Sequence, residues 1–296
     1  MTVDAGQSGE AQLLPDTVVF DFGGQAFDDL VAACERDILW TFIRARVRPR
    51  AAVLEAGAGS GRWVKFLADQ GYDARGVELS RADVDRFRER HPQIAYELGD
   101  IRSLPYADAR FDAVLSLGVF EHMIDGPGAA ASEMFRVLKP GGLAFFTVPH
   151  ANLLFTIERF VDRLRFPLFR SHIARRLLSR PPLTYARAAE KARLREVARR
   201  RIDGLPIKYS FDPARGATFY EYRYRTQQAE RLLTAAGFEV ASAHHLYSLD
   251  RIHQLFGRIA VIERPELRPN ALGRLLLAAL PQNWISHMVL VIARKP

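Results

Sequence analysis

The chain has 296 residues, 48% hydrophobic and 26% charged, an ordinary balance for one large globular domain or a domain with an insertion. Its single cysteine, Cys34, excludes an intrachain disulfide and a cysteine-built zinc site, and no run is apolar enough to span a bilayer. The formal charge of +8 favours nucleic acid, a membrane surface or an acidic ligand, according to where that charge sits.

Residues 1–26 read as a polar leader without the charged-then-apolar pattern of an export signal, and with the lone cysteine this gives a cytoplasmic expectation. From Phe27 to Val47 apolar residues recur at helical spacing, predicting one helix stopped by Pro49. Strands and helices then alternate. Ala52–Glu55 reads as a strand, and Gly61–Gln70 as a helix closed by Gly71. Ala74–Leu79 is a second strand, followed by a helix with Ser80 as N-cap and Asp83 as its capping-box partner. Ile94–Leu98, Asp112–Leu117 and Leu143–Val148 are further strands, with a helix over about residues 128–138 before the last. The alternation implies βαβ units, a parallel sheet and helices on both faces.

The pattern breaks at His150. Residues 151–225 show helical patterns, no convincing strand, and 18 Lys and Arg against 7 Asp and Glu, so this insert makes the chain basic. After it, Thr226 is the expected cap of a helix stopped by Gly237. Phe238–Tyr247 and His287–Ala293 complete a set of seven strands. The implied organisation is a leader (1–26), a core (27–150), a helical basic insert (151–225) and the remainder of the core sheet (226–296).

Several pieces carry chemistry. Glu55-Ala56-Gly57-Ala58-Gly59-Ser60-Gly61 ends the first strand in three alternate glycines, which allow positive φ and a close backbone approach to a ligand at a helix start. The dinucleotide fingerprint puts its third glycine one place later, where this chain has Arg62, so a nicotinamide or flavin dehydrogenase is disfavoured. A glycine-rich turn without a ligand is the competing reading. Glu78 stands 21 residues past Gly57 at the end of the second strand, where a carboxylate accepts from a ribose diol or is merely solvated. Asp100 and Ile101 end the third strand, as acceptor and apolar wall for an adenine ring. Phe111 through His122 brings the fourth strand to the same edge, and Val137-Leu138-Lys139-Pro140-Gly141-Gly142 turns into the fifth.

In this order, from about Val53 to Pro149, the pieces resemble the class I S-adenosylmethionine-dependent methyltransferases, most closely the type 11 group that includes quinone-biosynthesis enzymes. The resemblance implies a Rossmann-like α/β fold, a seven-stranded sheet with only its last strand antiparallel. It implies S-adenosyl-L-methionine as cofactor. Glu55, Gly57, Gly59 and Gly61 would surround its methionine part, and Glu78 would hold the ribose with Leu79 beside the adenine. Asp100 and Ile101 would bind the adenine, and Leu117 would line the floor near the sulfonium.

The acceptor is less legible. Methyl transfer needs alignment and exclusion of water, and a hydroxyl acceptor also needs a base. His150, just past the fifth strand, is the first candidate, against a polar loop histidine. His122 is the second, against a structural or cofactor-shell role. His244 and His245 lie in the sixth strand and are weaker. Tyr220, Glu221 and Tyr222, at the end of the insert, are expected to line the acceptor pocket, with the two tyrosines binding substrate, and no metal ligand is expected.

The insert is the expected substrate lid. Leu153, Leu154, Phe155, Ile157, Phe160, Val161, Leu164, Phe166 and Phe169 interleave there with Arg159, Arg163, Arg165 and Arg170. Three readings are open: an amphipathic helix packed on the domain, a pocket or dock for an acidic or carrier-bound acceptor, and peripheral membrane contact through 151–180. Nucleic acid is disfavoured for want of an RNA-module signature. The leading expectation is O-methylation of a small molecule, a sugar or secondary metabolite. The alternatives are a lipid or quinone methyltransferase at a membrane surface and an RNA methyltransferase.

Overall fold

A computed structural model describes residues 26–178, 182–214, 216–262 and 267–296, so all of the expected leader but Ala26 lies outside the described residues. The side chains of Arg165, Phe166, Phe169 and Arg170, counted above in the insert, lie outside them too.

The first expected helix is two: α1 (Phe27–Arg36) and α2 (Ile38–Arg44). The break falls at Asp37, whose carboxylate caps α2 by accepting from the Leu39 N–H at 3.0 Å. The Tyr247 hydroxyl donates to the same oxygen at 2.7 Å, which ties the break to the end of an edge strand.

The core then runs β1 (Ala52–Ala56), α3 (Arg62–Asp69), β2 (Asp73–Glu78), α4 (Arg81–Arg90), β3 (Tyr96–Leu98), β4 (Phe111–Leu117), α5 (Gly128–Val137) and β5 (Leu138–Pro149). Ser80 caps α4 by accepting from the Asp83 N–H, while its own N–H goes to Glu78 and not to Asp83. The insert holds α6 (Leu153–Arg170), α7 (His172–Leu177), α8 (Arg187–Arg200), β6 (Ile207–Asp212) and β7 (Gly216–Tyr222). The chain ends with α9 (Thr226–Ala235), β8 (Glu239–Leu246), α10 (Ser248–Phe256), β9 (Val261–Ile262), β10 (Arg268–Pro269), α11 (Ala271–Ala279), α12 (Gln282–Ile285) and β11 (Met288–Arg294). The N-cap of α9 is Arg225 and not Thr226; its N–H donates to the Gln228 side chain at 2.9 Å.

Seven strands form one sheet in the order β3-β2-β1-β4-β5-β11-β8, and β11 alone runs antiparallel to its neighbours. Helices cover both faces, so every residue of β1 is buried. Alternation sorts the side chains between two cores. Leu54, Val114, Phe146 and Val291 pack under Met134 of α5 and Leu233 of α9. Val53, Leu115, Phe145 and Leu290 pack under Trp40 of α2 and Trp63 and Leu67 of α3. The order reverses between β1 and β4, and in such sheets the crevice for a ligand opens at the carboxyl ends there.

The insert differs from expectation in one respect. β6 and β7 pair as an antiparallel hairpin, although no strand is expected in 151–225. Its signal is visible: Ile207, Tyr209 and Phe211 alternate with polar residues, and Asp212-Pro213 leads to Gly216 at φ 76°. The surrounding arginine runs mask it. No helix among the described residues is long and apolar enough to cross a membrane.

Candidate functional site

The three glycines after β1 all adopt left-handed backbone, with φ of 80°, 55° and 81° at Gly57, Gly59 and Gly61. Two are also pinned by packing: a Cβ on Gly57 would lie 2.7 Å from Val119, and one on Gly61 2.3 Å from Phe87. A Cβ on Gly59 would meet nothing within 4 Å, so Gly59 is the member that borders open space. The Gly57 and Ala58 N–H groups both donate to the Val77 carbonyl, at 2.9 and 3.0 Å, which fixes the turn to β2.

Glu55 lies under this turn, 5% exposed. Burial pushes its carboxyl up to about 8; nearby Glu78 adds to the rise, and the Arg62 charge and a bond from the Val64 N–H oppose it. Its Oε2 has no partner. A buried carboxyl oxygen without a donor has the chemistry to accept from a cationic group such as an ammonium.

Glu78 ends β2 with its carboxylate held on three backbone donors. Oε2 accepts from Gly59 N–H at 2.8 Å, and Oε1 accepts from Leu79 and Ser80 N–H at 2.8 and 2.9 Å. Leu79 is 36% exposed beside it. In the loop after β3, Asp100 binds Arg102 through both oxygens, at 2.5 to 3.0 Å. Burial opposes ionisation of Asp100, but the hydrogen bonds and charge of Arg102 outweigh it and hold the carboxyl low. Ile101 is buried, and Leu117 closes β4. The positions expected around a cofactor lie at the carboxyl ends of β1, β2, β3 and β4, and the Gly59–Glu78 hydrogen bond joins the first two. An alternate-glycine cradle, an unpartnered acid and a second acid at the next strand end fit S-adenosylmethionine.

Beyond β4 a turn at Gly118 (φ 73°) leads to Glu121 and His122. The His122 Nδ1 lies 2.8 Å from the Tyr220 carbonyl, which can only accept, so Nδ1 carries the proton and Nε2 the lone pair. Burial lowers its pKa against the upward pull of that bond, so the ring is neutral at pH 7. Glu121 is 2% exposed with Oε2 unpartnered, and burial raises its pKa well above the usual carboxylate range. Its Oε1 lies 3.9 Å from His122 Nε2.

Among the described residues Glu121, His122 and Glu221 are the one group whose ligand atoms fall close enough for a metal, within 4.8 Å of one another. The buried Arg223 guanidinium already places positive charge there, 2.6 Å from Glu221. Of these, Arg223 is absent from the sequence expectation, and Glu121 and Glu221 enter it only as neighbours of His122 and of the paired tyrosines. The signal for Arg223 is its adjacency to Tyr222.

The remaining candidates separate. Tyr220 packs edge-on to His122, ring centroids 5.5 Å apart. Tyr222 is fully buried, its hydroxyl donating to the Ile124 carbonyl at 2.7 Å and accepting from the Ile202 N–H at 2.8 Å. With both hydroxyl functions used inside the core, it fastens the insert and does not line a substrate pocket. His150 is 5% exposed, with Nδ1 on the Ser286 hydroxyl at 2.7 Å and its ring 4.8 Å from His245. Burial, then the neighbouring His245 and Arg223, push its pKa down to about 4. It joins β5 to the start of β11 and is a weak base, not the exposed crevice group expected. A cleft of about 500 Å³ opens between the α1–α2 break and the β8–α10 junction, lined by Asp37, Ile38, His245, Tyr247 and Asp250.

Residues 54–146 match the family model described as a methyltransferase domain. Demethylmenaquinone methyltransferase of Beutenbergia cavernae is 38% identical over 120 residues, 38% of this chain and 49% of that protein. Malonyl-[acyl-carrier protein] O-methyltransferase of Serratia marcescens is 32% identical over 127 residues, 43% of this chain and 49% of that one. A SAM-dependent methyltransferase structure from Methanosarcina mazei superposes with a TM-score of 0.54 at 14% identity, covering 86% of this chain and 96% of that one, which is a likeness of fold. The matched regions amount to between 38% and 49% of the length of these curated relatives and of a third, from Mycolicibacterium smegmatis.

Proposed function

Residues 54–146 form a class I S-adenosylmethionine-dependent methyltransferase domain, and from that we propose that the chain transfers a methyl group from S-adenosylmethionine to an oxygen of a small-molecule acceptor. The observation that carries the reading is the unpartnered Glu55 Oε2 beneath the Gly57–Gly61 turn, with Glu78 at the next strand end. One acid suits the ammonium of the donor, and the other suits its ribose diol.

When bound, the donor supplies an activated methyl group on a sulfonium. The protein aligns the acceptor with that methyl, excludes water and receives a proton. His122 is the residue suited to the last task. Its Nδ1–H is held by the Tyr220 carbonyl, which aims a neutral Nε2 away from that carbonyl. Glu121, kept protonated by burial, is a donor suited to an acceptor oxygen. Relatives named for quinone and for carrier-bound acid acceptors support a carbon scaffold bearing an ionisable oxygen over a nucleic acid.

The test is calorimetry with S-adenosylhomocysteine, followed by transfer of labelled methyl to a panel of quinols, carrier-bound acids, glycosides and RNA. Binding with label on a quinol, acid or glycoside oxygen supports the reading. No binding ends it, and label on RNA alone replaces the acceptor class.

A further inference from the structure

Helix α6 turns its apolar side outward. Leu153, Ile157, Phe160 and Leu164 recur at i, i+4, i+7 and i+11, one stripe of a helix, and they are exposed at 44, 50, 64 and 63%. The opposite side is held by protein. Phe155 is buried with the Arg223 guanidinium 5.2 Å from its ring centroid, and Glu158 accepts from the buried Arg251 at 2.7 Å. Asn152 anchors the first turn, accepting from the Phe155 N–H and donating to the Ser286 carbonyl. Of the three open readings, packing on the domain holds for the inward side of α6, with Phe155 and Leu154, while the stripe faces outward. In α7, Ile173 and Leu177, one turn apart, are also exposed, at 75 and 81%. Single exposed apolar residues are ordinary; an aligned stripe of four along one helix marks an interaction surface.

We propose that this face docks on an anionic lipid surface. Arg159 and Arg163 are exposed one turn apart along one flank of the stripe, and Arg176 is exposed in α7. An apolar stripe with arginine flanks is the composition of a helix lying in the headgroup boundary. The surrounding insert, 18 bases to 7 acids, is complementary to an anionic leaflet. A second copy is disfavoured because pairing the stripes would set Arg159 and Arg163 against the same charges. The stripe is also a ridge on one helix and not a groove, a shape that a deformable bilayer accepts.

Docking has a consequence for the acceptor, and this part rests on the proposed methyl transfer. α6 begins three residues after His150, at the carboxyl end of β5. The acceptor side of the sheet edge then faces the bilayer, which suits an apolar or amphipathic acceptor whose reactive oxygen sits near the headgroups.

Flotation of the full chain with vesicles of phosphatidylcholine, alone or mixed with phosphatidylglycerol, tests the proposal. The chain floats with the mixed vesicles at low salt, and high salt weakens that binding. Phe160→Ser with Leu164→Ser lowers the partition about tenfold or more, the scale set by burying one large apolar side chain. Arg159→Glu with Arg163→Glu abolishes the preference for phosphatidylglycerol. Both variants keep their affinity for S-adenosylhomocysteine, since they lie away from the glycine turn. A chain that stays at the bottom with mixed vesicles, or that floats equally well with both pairs replaced, overturns the proposal. So does a dimer in lipid-free sedimentation that the Phe160 and Leu164 replacements dissolve. Cofactor binding without flotation removes the docking and leaves the function; flotation without cofactor binding does the reverse.

Discussion

The Gly59 N–H donates to Glu78 Oε2 at 2.8 Å, joining the glycine turn after β1 to the acid that ends β2. A carboxylate has about four acceptor positions, and Leu79 and Ser80 occupy two more. A ribose diol needs two. Binding a nucleoside therefore displaces one backbone donor, and Gly59, on the turn that borders open space, is the one that can move. Glu78→Gln keeps the bulk but turns a donor toward these N–H groups. Its affinity for S-adenosylhomocysteine falls about 10- to 100-fold, the range for losing hydrogen bonds to a charged acceptor. Calorimetry reads this directly, and an unchanged Kd removes Glu78 from the site.

Glu55 makes stability depend on pH in an unusual direction. Burial pushes its folded carboxyl up to about 8 from an ordinary 4.5, so between those values the folded chain holds a proton that the unfolded chain has released. The contribution is complete below pH 4.5 and is lost as pH rises toward 8. Glu55→Gln removes this slope, and the variant gains on the parent as pH is raised from 5 to 8 in denaturant titrations. A parent and variant that stay parallel across that range refute the buried, protonated Glu55. An ammonium docking beside Glu55 favours its charged form, so S-adenosylhomocysteine binding at pH 7 releases protons, measurable as a dependence of the heat on buffer ionisation enthalpy.

His122 and His150 separate in kinetics. Replacing His122 by Ala lowers kcat by about 10²- to 10⁴-fold for a hydroxyl acceptor, the usual weight of a positioned base. In the parent, kcat/KM rises with pH through an apparent pKa below the histidine reference of about 6.5, since burial lowers that of His122. His150→Ala instead breaks the link to Ser286 and lowers thermal stability, with kcat changed by less than about fivefold, far below a base's contribution. Equal losses of kcat in both variants would return His150 to the chemistry.

The sheet was legible because its strands are continuous apolar runs between turn signals, and the glycine turn because alternate glycines at a strand end have few other uses. Less was visible where tertiary contacts decide. His150 looked exposed because it follows a strand end, but β11, far away in sequence, brings Ser286 against it. Tyr220 and Tyr222 are two apart on β7 and so share a face, yet only Tyr222 reaches the carbonyl of Ile124 and the N–H of Ile202. The orientation of α6 was invisible because periodicity reveals a stripe but not what lies opposite it.

Tyr222→Phe is a test of the insert's attachment. It leaves the half-buried Ile124 carbonyl and Ile202 N–H without their shared partner and costs about 1–3 kcal/mol. Thermal unfolding falls while affinity for S-adenosylhomocysteine holds. A loss of cofactor affinity with stability intact would put Tyr222 back among the binding residues.

Gly59 and Gly61 share left-handed backbone, so alanine at either adds the strain of a Cβ there, about 1–2 kcal/mol. Their surroundings then part them. At Gly61 the new Cβ falls 2.3 Å from Phe87, whose ring stacks on Tyr96 at 4.2 Å, and the Tyr96 hydroxyl donates to the Gly59 carbonyl at 2.6 Å. The clash spreads through that stack, and Gly61→Ala adds about 1–3 kcal/mol of overpacking to the strain. At Gly59 the Cβ meets no protein atom within 4 Å, so Gly59→Ala is destabilised by the strain alone. That methyl occupies the space into which a ligand must come. Gly59→Ala therefore stays folded and loses S-adenosylhomocysteine affinity, whereas Gly61→Ala loses stability first. Denaturant midpoints and calorimetry on the two variants decide it: tight cofactor binding by a well-folded Gly59→Ala chain means the open side of the turn faces something other than the cofactor.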